Sequence, residues 1–241
     1  MNTVPSHSEI GRLKQVYRTY RESRAVQTQW DESNPGNRAI LLERQSAIRD
    51  LLGTHGYLPL KDRRVLDVGC GTGEVLASML ELGAQPDNLI GIDLLPERID
   101  EARCSFPDLH FECMNAEKLD FHDAFFGLVL LFTVFSSILD TGMATNVART
   151  VGRVVKSGGA VLWYDFRYNN PRNPNVRGVT RRRIQDLFPG FTMHLRSITL
   201  LPFLARRLGR FTELMYPLLA SIPTLRTHYV GLLVKPESDK F

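Results

Sequence analysis

The stretch VLDVGCGTGE (65–74) decides the fold. A short apolar run, VLDV, meets Gly69, Gly71 and Gly73, and a segment of helical period, EVLASMLELG (74–83), follows at once. Glycines are needed where a chain turns tightly or lets a ligand approach its backbone, because a Cβ would clash or forbid positive φ. The helix that follows would offer unpaired N–H groups and a positive dipole end to an anionic group. Asp93 closes the next apolar run, NLIGID (88–93), twenty residues after Gly73. A carboxylate there suits the two hydroxyls of a ribose, so a nucleoside-like ligand is expected. A dinucleotide fingerprint would need a small residue at 74, where this chain has Glu74, whose carboxylate repels a pyrophosphate. Asp67, two residues before the first glycine, suits a ligand that carries an ammonium or sulfonium.

Outward from this stretch the pattern alternates. PERIDEARCSF (96–106) reads as a helix with Pro96 at its opening position, LHFECMNA (109–116) as a third strand, and GLVLLFTVF (127–135) as a fourth, apolar on both faces. A helix over about 141–155 leads through a glycine turn into a fifth strand, SGGAVLWYDF (157–166). Repeated strand–helix–strand units imply an α/β fold with a parallel sheet and helices on both faces. Upstream, Ile10, Leu13, Val16, Tyr17 and Tyr20, then Ile40, Leu41, Ile48, Leu51 and Leu52, fall at helical spacing on either side of the break WDESNPGN (30–37). Downstream, TRRRIQDLF (180–188) predicts a short helix, and FTMHLRSITLL (191–201) and RTHYVGLLVK (226–235) predict strands. The whole chain, 1–241, is expected to be one domain: a helical cap (1–60), a core (61–166) and a tail (167–241).

Composition narrows the function classes. At 43% hydrophobic and 23% charged residues the 241-residue chain is ordinary for a globular protein. It lacks the run of about 18 apolar residues that a membrane span needs. MNTVPSHSEIGRLK has no apolar signal region. Cys70, Cys104 and Cys113 form no CxxC pair, so neither a disulfide framework nor a metal site is expected. A reduced, cytoplasmic protein is the expectation. Charge is uneven: residues 1–166 hold 17 Lys/Arg against 22 Asp/Glu, net −5, and residues 167–241 hold 13 against 4, net +9. A basic tail attracts phosphates, nucleic acid or an anionic membrane, and reads equally as a solvated surface.

In order, DVGCGTG, IDLLPERI, MNAEKL and VKSGGAVLWYDF resemble the motif series of the class I S-adenosylmethionine-dependent methyltransferases, of the small-molecule, UbiE-like type, over roughly residues 60–166. The resemblance implies a Rossmann-like, doubly wound sheet of seven strands whose last strand, here 226–235, is antiparallel and inserted beside the sixth. It implies S-adenosylmethionine as cofactor and S-adenosylhomocysteine as product. Asp67, Gly69, Cys70, Gly71 and Gly73 would form the loop at the methionine end. Asp93 would bind the ribose, Leu94 would lie against the adenine, Asn115 and Ala116 would reach its edge, and Phe132 would sit over the cofactor. The adenine-edge residue is usually Asp in this family; an amide at Asn115 loses charge assistance and implies weaker binding. The family also favours Asp just before the fourth strand, where this chain has Phe126–Gly127.

Methyl transfer from a sulfonium is an in-line displacement, so the protein aligns the acceptor and removes a proton where the acceptor is a hydroxyl. Acceptor contacts are expected beyond the fifth strand, from Arg167, Tyr168, Asn169 and Asn170, and from the cap, with Tyr20 and Trp30. If a base is used, Asp165, Tyr168 and His228 are the candidates, each with an equally ordinary structural reading. The segment 199–222 interleaves apolar residues with Arg206, Arg207 and Arg210. It fits a membrane interface or the wall of an apolar, anionic acceptor pocket as well as an amphipathic cover on the sheet. The expected reaction is methylation of an O or N atom of a small molecule: a phosphate-bearing or lipid-linked sugar, or a natural product. A nucleic-acid methyltransferase is the alternative, with Arg181, Arg182 and Arg183 on phosphates. NNPR (169–172) lacks the stacking aromatic that a flipped base requires. A non-catalytic scaffold is the other alternative.

Overall fold

The computed structural model describes residues 6–23, 31–171 and 173–237. Two helices, α1 (Ser6–Glu22) and α2 (Pro35–Thr54), precede the sheet. Asn34 caps α2, its side chain accepting from the Gly36 and Asn37 amides, and Pro35 fills the first helical position. The core then alternates as expected: β1 (Val65–Val68), α3 (Glu74–Ala77), β2 (Leu89–Asp93), α4 (Pro96–Ser105), β3 (His110–Cys113), β4 (Phe126–Phe132), α5 (Thr141–Val154) and β5 (Val155–Phe166). The tail supplies α6 (Arg181–Leu187), β6 (Thr192–Leu200), α7 (Pro202–Ala205), α8 (Thr212–Ala220) and β7 (Arg226–Val234).

One seven-stranded sheet runs in the order β3-β2-β1-β4-β5-β7-β6. β1 pairs parallel with β2 and β4, and β4 with β5, while β7 lies antiparallel between β5 and β6. The sheet and the antiparallel insertion of the last strand agree with the sequence-based expectation. Central β4 is buried at all seven positions, which is why its sequence is apolar on both faces. Leu128 and Leu130 point into a core shared with α2 residues such as Leu52; Val129 and Leu131 point into a second core with α5, around Trp163, Phe135 and Phe188.

Two segments differ from the expectation. The helix read over 74–83 is one turn, α3, followed by a 3-10 turn at Leu80–Leu82. The segment 199–222 is divided: β6 continues to Leu200, then α7, a 3-10 turn at Gly209–Phe211 and α8 follow. Gly209 at φ +51° supplies the bend. β7 begins beside the end of β5, with Phe166 opposite His228. The 201–225 insert therefore stands on the side of the sheet where the parallel strands end. No helix among the described residues is long and apolar enough to cross a membrane.

Candidate active site

The glycine loop turns back on β2. The Gly69 and Cys70 amides both donate to the Ile92 carbonyl (2.8 and 2.9 Å), the Gly71 amide to Oδ2 of Asp93 (3.0 Å), and the Gly73 amide to the Cys70 carbonyl (3.0 Å). These N–H groups are spent inside the protein. At these four positions the loop presents a wall and no free amide. Gly69 and Gly71 have φ of +73° and +57°, and a Cβ on Gly71 would lie 3.2 Å from the Arg98 guanidinium. Gly73 is needed for packing, since its Cβ would meet the Phe111 ring at 2.8 Å. Cys70 is buried with its thiol against Gly91, and burial raises its pKa above the ordinary thiol value.

Asp67 is the anomaly of this loop. It is 1% exposed, its Oδ2 has no hydrogen-bond partner, and burial, then Asp93, then Glu74 push its carboxyl up to about 8. A buried carboxyl without a partner is costly unless something completes the site.

Beside the loop opens a crevice at the ends of β1, β2 and β4, where ligands of α/β sheets bind. Gly69, Asp93, Leu94, Asn115, Ala116 and Phe132, all expected site residues, line it together. Asp93 is set by the Gly71 amide on Oδ2 and the Leu95 amide on Oδ1 (both 3.0 Å), which leaves each oxygen further acceptor capacity. Asn115 accepts from the Glu117 amide (2.9 Å), fixing the turn after β3. Asp67, Cys70, Gly71 and Gly73 lie outside the lining.

Tyr17 was expected in a cap closing over the cofactor; the sequence reading missed the rest of the wall. Arg98, on α4, lies over the Tyr17 ring at 4.5 Å, and the Tyr17 hydroxyl bonds Ser137 Oγ at 2.9 Å, so α1 closes the crevice from above. The loop after β4 adds Thr133, Val134, Ser137 and Ile138, and α5 adds Met143 and Val147. Thr133 has φ +56°, a strained conformation for a β-branched residue. Only the apolar spacing of α5 could have signalled any of these.

Acceptor-side expectations divide. Arg167, Tyr168 and Asn169 line a second cavity, and Asn170 does not. The Tyr20 hydroxyl donates to Asn173 and its ring sits edge-on to Tyr17. Trp30 lies outside the described residues. Asp165 is buried and ties β5 to the β4 loop, accepting from the Ser136 amide at 2.9 Å and the Phe166 amide at 2.8 Å. Burial moves its carboxyl up to about 6 against those bonds. His228 is buried, stacked on Tyr164 at 4.6 Å, and burial, then the Arg44 charge, lower it to about 3. A base that weak removes no alcohol proton near neutral pH. Tyr168 is exposed, with the Arg167 guanidinium over its ring at 4.5 Å.

Comparison with known proteins follows the same lines. Residues 65–159 match a methyltransferase domain family. Over 130 residues the chain is 33% identical to a demethylmenaquinone methyltransferase of Chlorobaculum parvum, covering 54% of this chain and 51% of the relative. Over 120 residues it is 31% identical to a ubiquinone biosynthesis O-methyltransferase of Paracidovorax citrulli, covering 47% and 48%. The matches thus span about half the length of these curated relatives. Among solved structures, the 1,6-didemethyltoxoflavin-N1-methyltransferase of Burkholderia thailandensis, with its substrate and S-adenosylhomocysteine bound, superposes with a TM-score of 0.64 at 18% identity, over 98% of this chain and 92% of that one. An S-adenosylmethionine-dependent methyltransferase of Methanosarcina mazei gives 0.58 at 20% identity, over 77% and 97%. Sheet order and matched segment agree: residues 65–159 match a methyltransferase domain family, and the chain shares its fold with these solved methyltransferases.

Proposed function

We propose that the chain binds S-adenosylmethionine in the crevice over β1, β2 and β4 and transfers its methyl group to an O or N atom of a small molecule. The observation that carries this reading is the crevice wall itself: Gly69, Asp93, Leu94, Asn115 and Ala116 line it together, with the unpaired buried carboxyl of Asp67 next to Val68, which also lines it. When bound, the cofactor supplies an electrophilic methyl on a good leaving group. Asp67 would face the cationic end, Asp93 would accept from the ribose hydroxyls, and Leu94, Met114, Ile138 and Met143 would exclude water around the adenine. Neither buried base candidate serves this crevice: Asp165 and His228 lie outside its lining, Asp165 is tied to the Ser136 and Phe166 amides, and His228 is too weak. The residues therefore act by alignment, which suits an acceptor atom that is already nucleophilic.

Direct calorimetry with S-adenosylhomocysteine tests the reading. Binding by the wild-type chain is expected, with Asp93→Ala weakening it by about 1–3 kcal/mol through loss of hydrogen-bonded polar partners. Equal affinity in a folded Asp93→Ala protein defeats the ribose assignment, and no binding by the wild type defeats the function.

The acceptor is proposed to arrive at a lipid surface. Six of the nine large hydrophobic side chains exposed among the described residues (Leu201, Phe203, Phe211, Leu214, Leu218 and Ile222) belong to the 201–225 insert. Arg207 and Arg210 lie over the rings of Phe203 and Phe211, at 3.6 and 4.8 Å, so apolar and cationic groups share one face. Such a face suits anionic headgroups above an acyl layer. Flotation with phosphatidylglycerol vesicles at low salt is expected to carry the protein, and Leu214→Glu with Leu218→Glu to release it. Absence of wild-type flotation removes the membrane from the proposal.

A further inference from the structure

A second cavity opens on the other side of the β4 loop from the cofactor crevice. It is lined by Arg167, Tyr168 and Asn169, which follow β5, and by Arg177, Arg182 and Arg183, which lead into and open α6. Four arginines and one carboxylate, Asp186, are in this lining, and Nη1 of Arg167 also reaches the Pro223 carbonyl at 3.4 Å. Nε of Arg167 and Nη1 of Arg183 are shielded from solvent and donate to nothing. Leaving donors of charged groups buried and unpaired is expensive. Holding arginines together adds repulsion: burial first, then the neighbouring Arg177 charge, lower the pKa of Arg183, with Asp165 opposing.

The cleft is open, with Tyr168, Asn169, Arg177, Arg182 and Asp186 exposed, but its backbone frame is fixed. The Gly178 amide donates to Asn169 Oδ1 (2.9 Å), and a Cβ on Gly178 would lie 2.4 Å from the Tyr168 carbonyl carbon, so only glycine lets the two ends of the 168–178 loop close. The Val179 amide donates to the Phe166 carbonyl (2.7 Å) and the Arg177 amide to the Ser136 carbonyl (2.8 Å). Arg183 also donates to the Ile138 carbonyl (3.4 Å). Ser137 and Ile138 line the cofactor crevice, so the two cavities share one wall.

We propose that this arginine cavity binds a phosphate-class anion, a phosphate ester or diphosphate, carried by the methyl acceptor. A planar guanidinium pairs with phosphate through two N–H groups, and an anion here would satisfy both buried donors while relieving the repulsion. The assignment to the acceptor rests on the methyl-transfer reading above; the binding of the anion does not.

The test uses the full chain in calorimetry and thermal unfolding with inorganic pyrophosphate, and in flotation with phosphatidylglycerol vesicles. Expected are saturable pyrophosphate binding and a raised Tm, with at least a tenfold loss of affinity in Arg177→Gln/Arg183→Gln. Arg207→Gln/Arg210→Gln, outside the cavity, should keep wild-type affinity. Should the double variant fail to fold, Arg177→Gln alone serves, because Arg177 is exposed and makes its fold contact through its backbone. Vesicle binding that Arg177→Gln abolishes, without pyrophosphate binding, identifies the anion as a lipid headgroup and keeps the site. Pyrophosphate and vesicle binding both unchanged by Arg177→Gln/Arg183→Gln, or pyrophosphate binding lost equally in Arg207→Gln/Arg210→Gln, overturns it. S-adenosylhomocysteine affinity, expected to stay within twofold in every variant, separates this failure from that of the methyltransferase reading.

Discussion

Asp67 ties the site to proton chemistry. Near pH 7 a carboxyl that burial, Asp93 and Glu74 have moved to about 8 is largely protonated in the ligand-free protein. A cation against Oδ2 favours the ionised form, so S-adenosylmethionine binding near pH 7 is expected to release up to one proton. Calorimetry in two buffers of different ionisation enthalpy measures it, and zero release or net uptake contradicts the assignment. The same shift acts on stability. Because the folded value lies above the ordinary 3.8, the stabilisation from this group is complete below about pH 4 and is lost as pH rises through 8. Asp67→Asn should flatten that decline in urea midpoints of the ligand-free protein.

At the scale of elements, one buried carboxylate joins the Tyr17 and Tyr20 contacts in holding α1 on the crevice. Glu9 is buried and accepts from Arg12 (2.8 and 2.7 Å), from the Leu139 amide (2.6 Å) and from the Asp140 amide (3.4 Å). Those bonds outweigh the burial that opposes its ionisation and hold its pKa below the ordinary value. Glu9→Ala orphans two amides and is expected to cost about 1–3 kcal/mol, with faster hydrogen exchange at 138–141. Unchanged exchange there would show that α1 is held by other contacts. The element scale also shows what a sequence can carry. β1, β2, β4, β5 and their helices were legible because each repeats a short apolar run and a glycine or proline boundary. The helix read over 74–83 shortened to one turn because 3-10 geometry at Leu80–Leu82 keeps the same apolar spacing over so short a span. Thr133, Ser137 and Arg98 were illegible as site residues, since only the meeting of β4, α1 and α4 gives them a ligand to face.

For the whole molecule, the sheet separates two cores, and the one facing α5 is built around aromatic rings. Phe135 is fully buried, stacked at 5.2 Å on Trp163 and edge-on at 5.8 Å to Phe188. Phe135→Ala is expected to cost about 3–5 kcal/mol, read as a lower Tm, because three elements lose their common filler. A loss under 1 kcal/mol would mean that the ring layer collapses freely. The charge division between the first two thirds and the tail was plain in the composition; that its arginines share one cleft was not, because Gly178 and the Val179 amide bring 167 and 183 together only after β5 and α6 are in place.

The position of β7 also sets a timetable for synthesis on the ribosome. Five strands, β3 to β5, can pair as soon as residue 166 has left the exit tunnel. β6, although made earlier than β7, has no backbone partner until residues 226–234 emerge to fill the slot between it and β5. For that interval the nascent chain carries an open strand edge next to the greasy insert, which is where a chaperone would be needed.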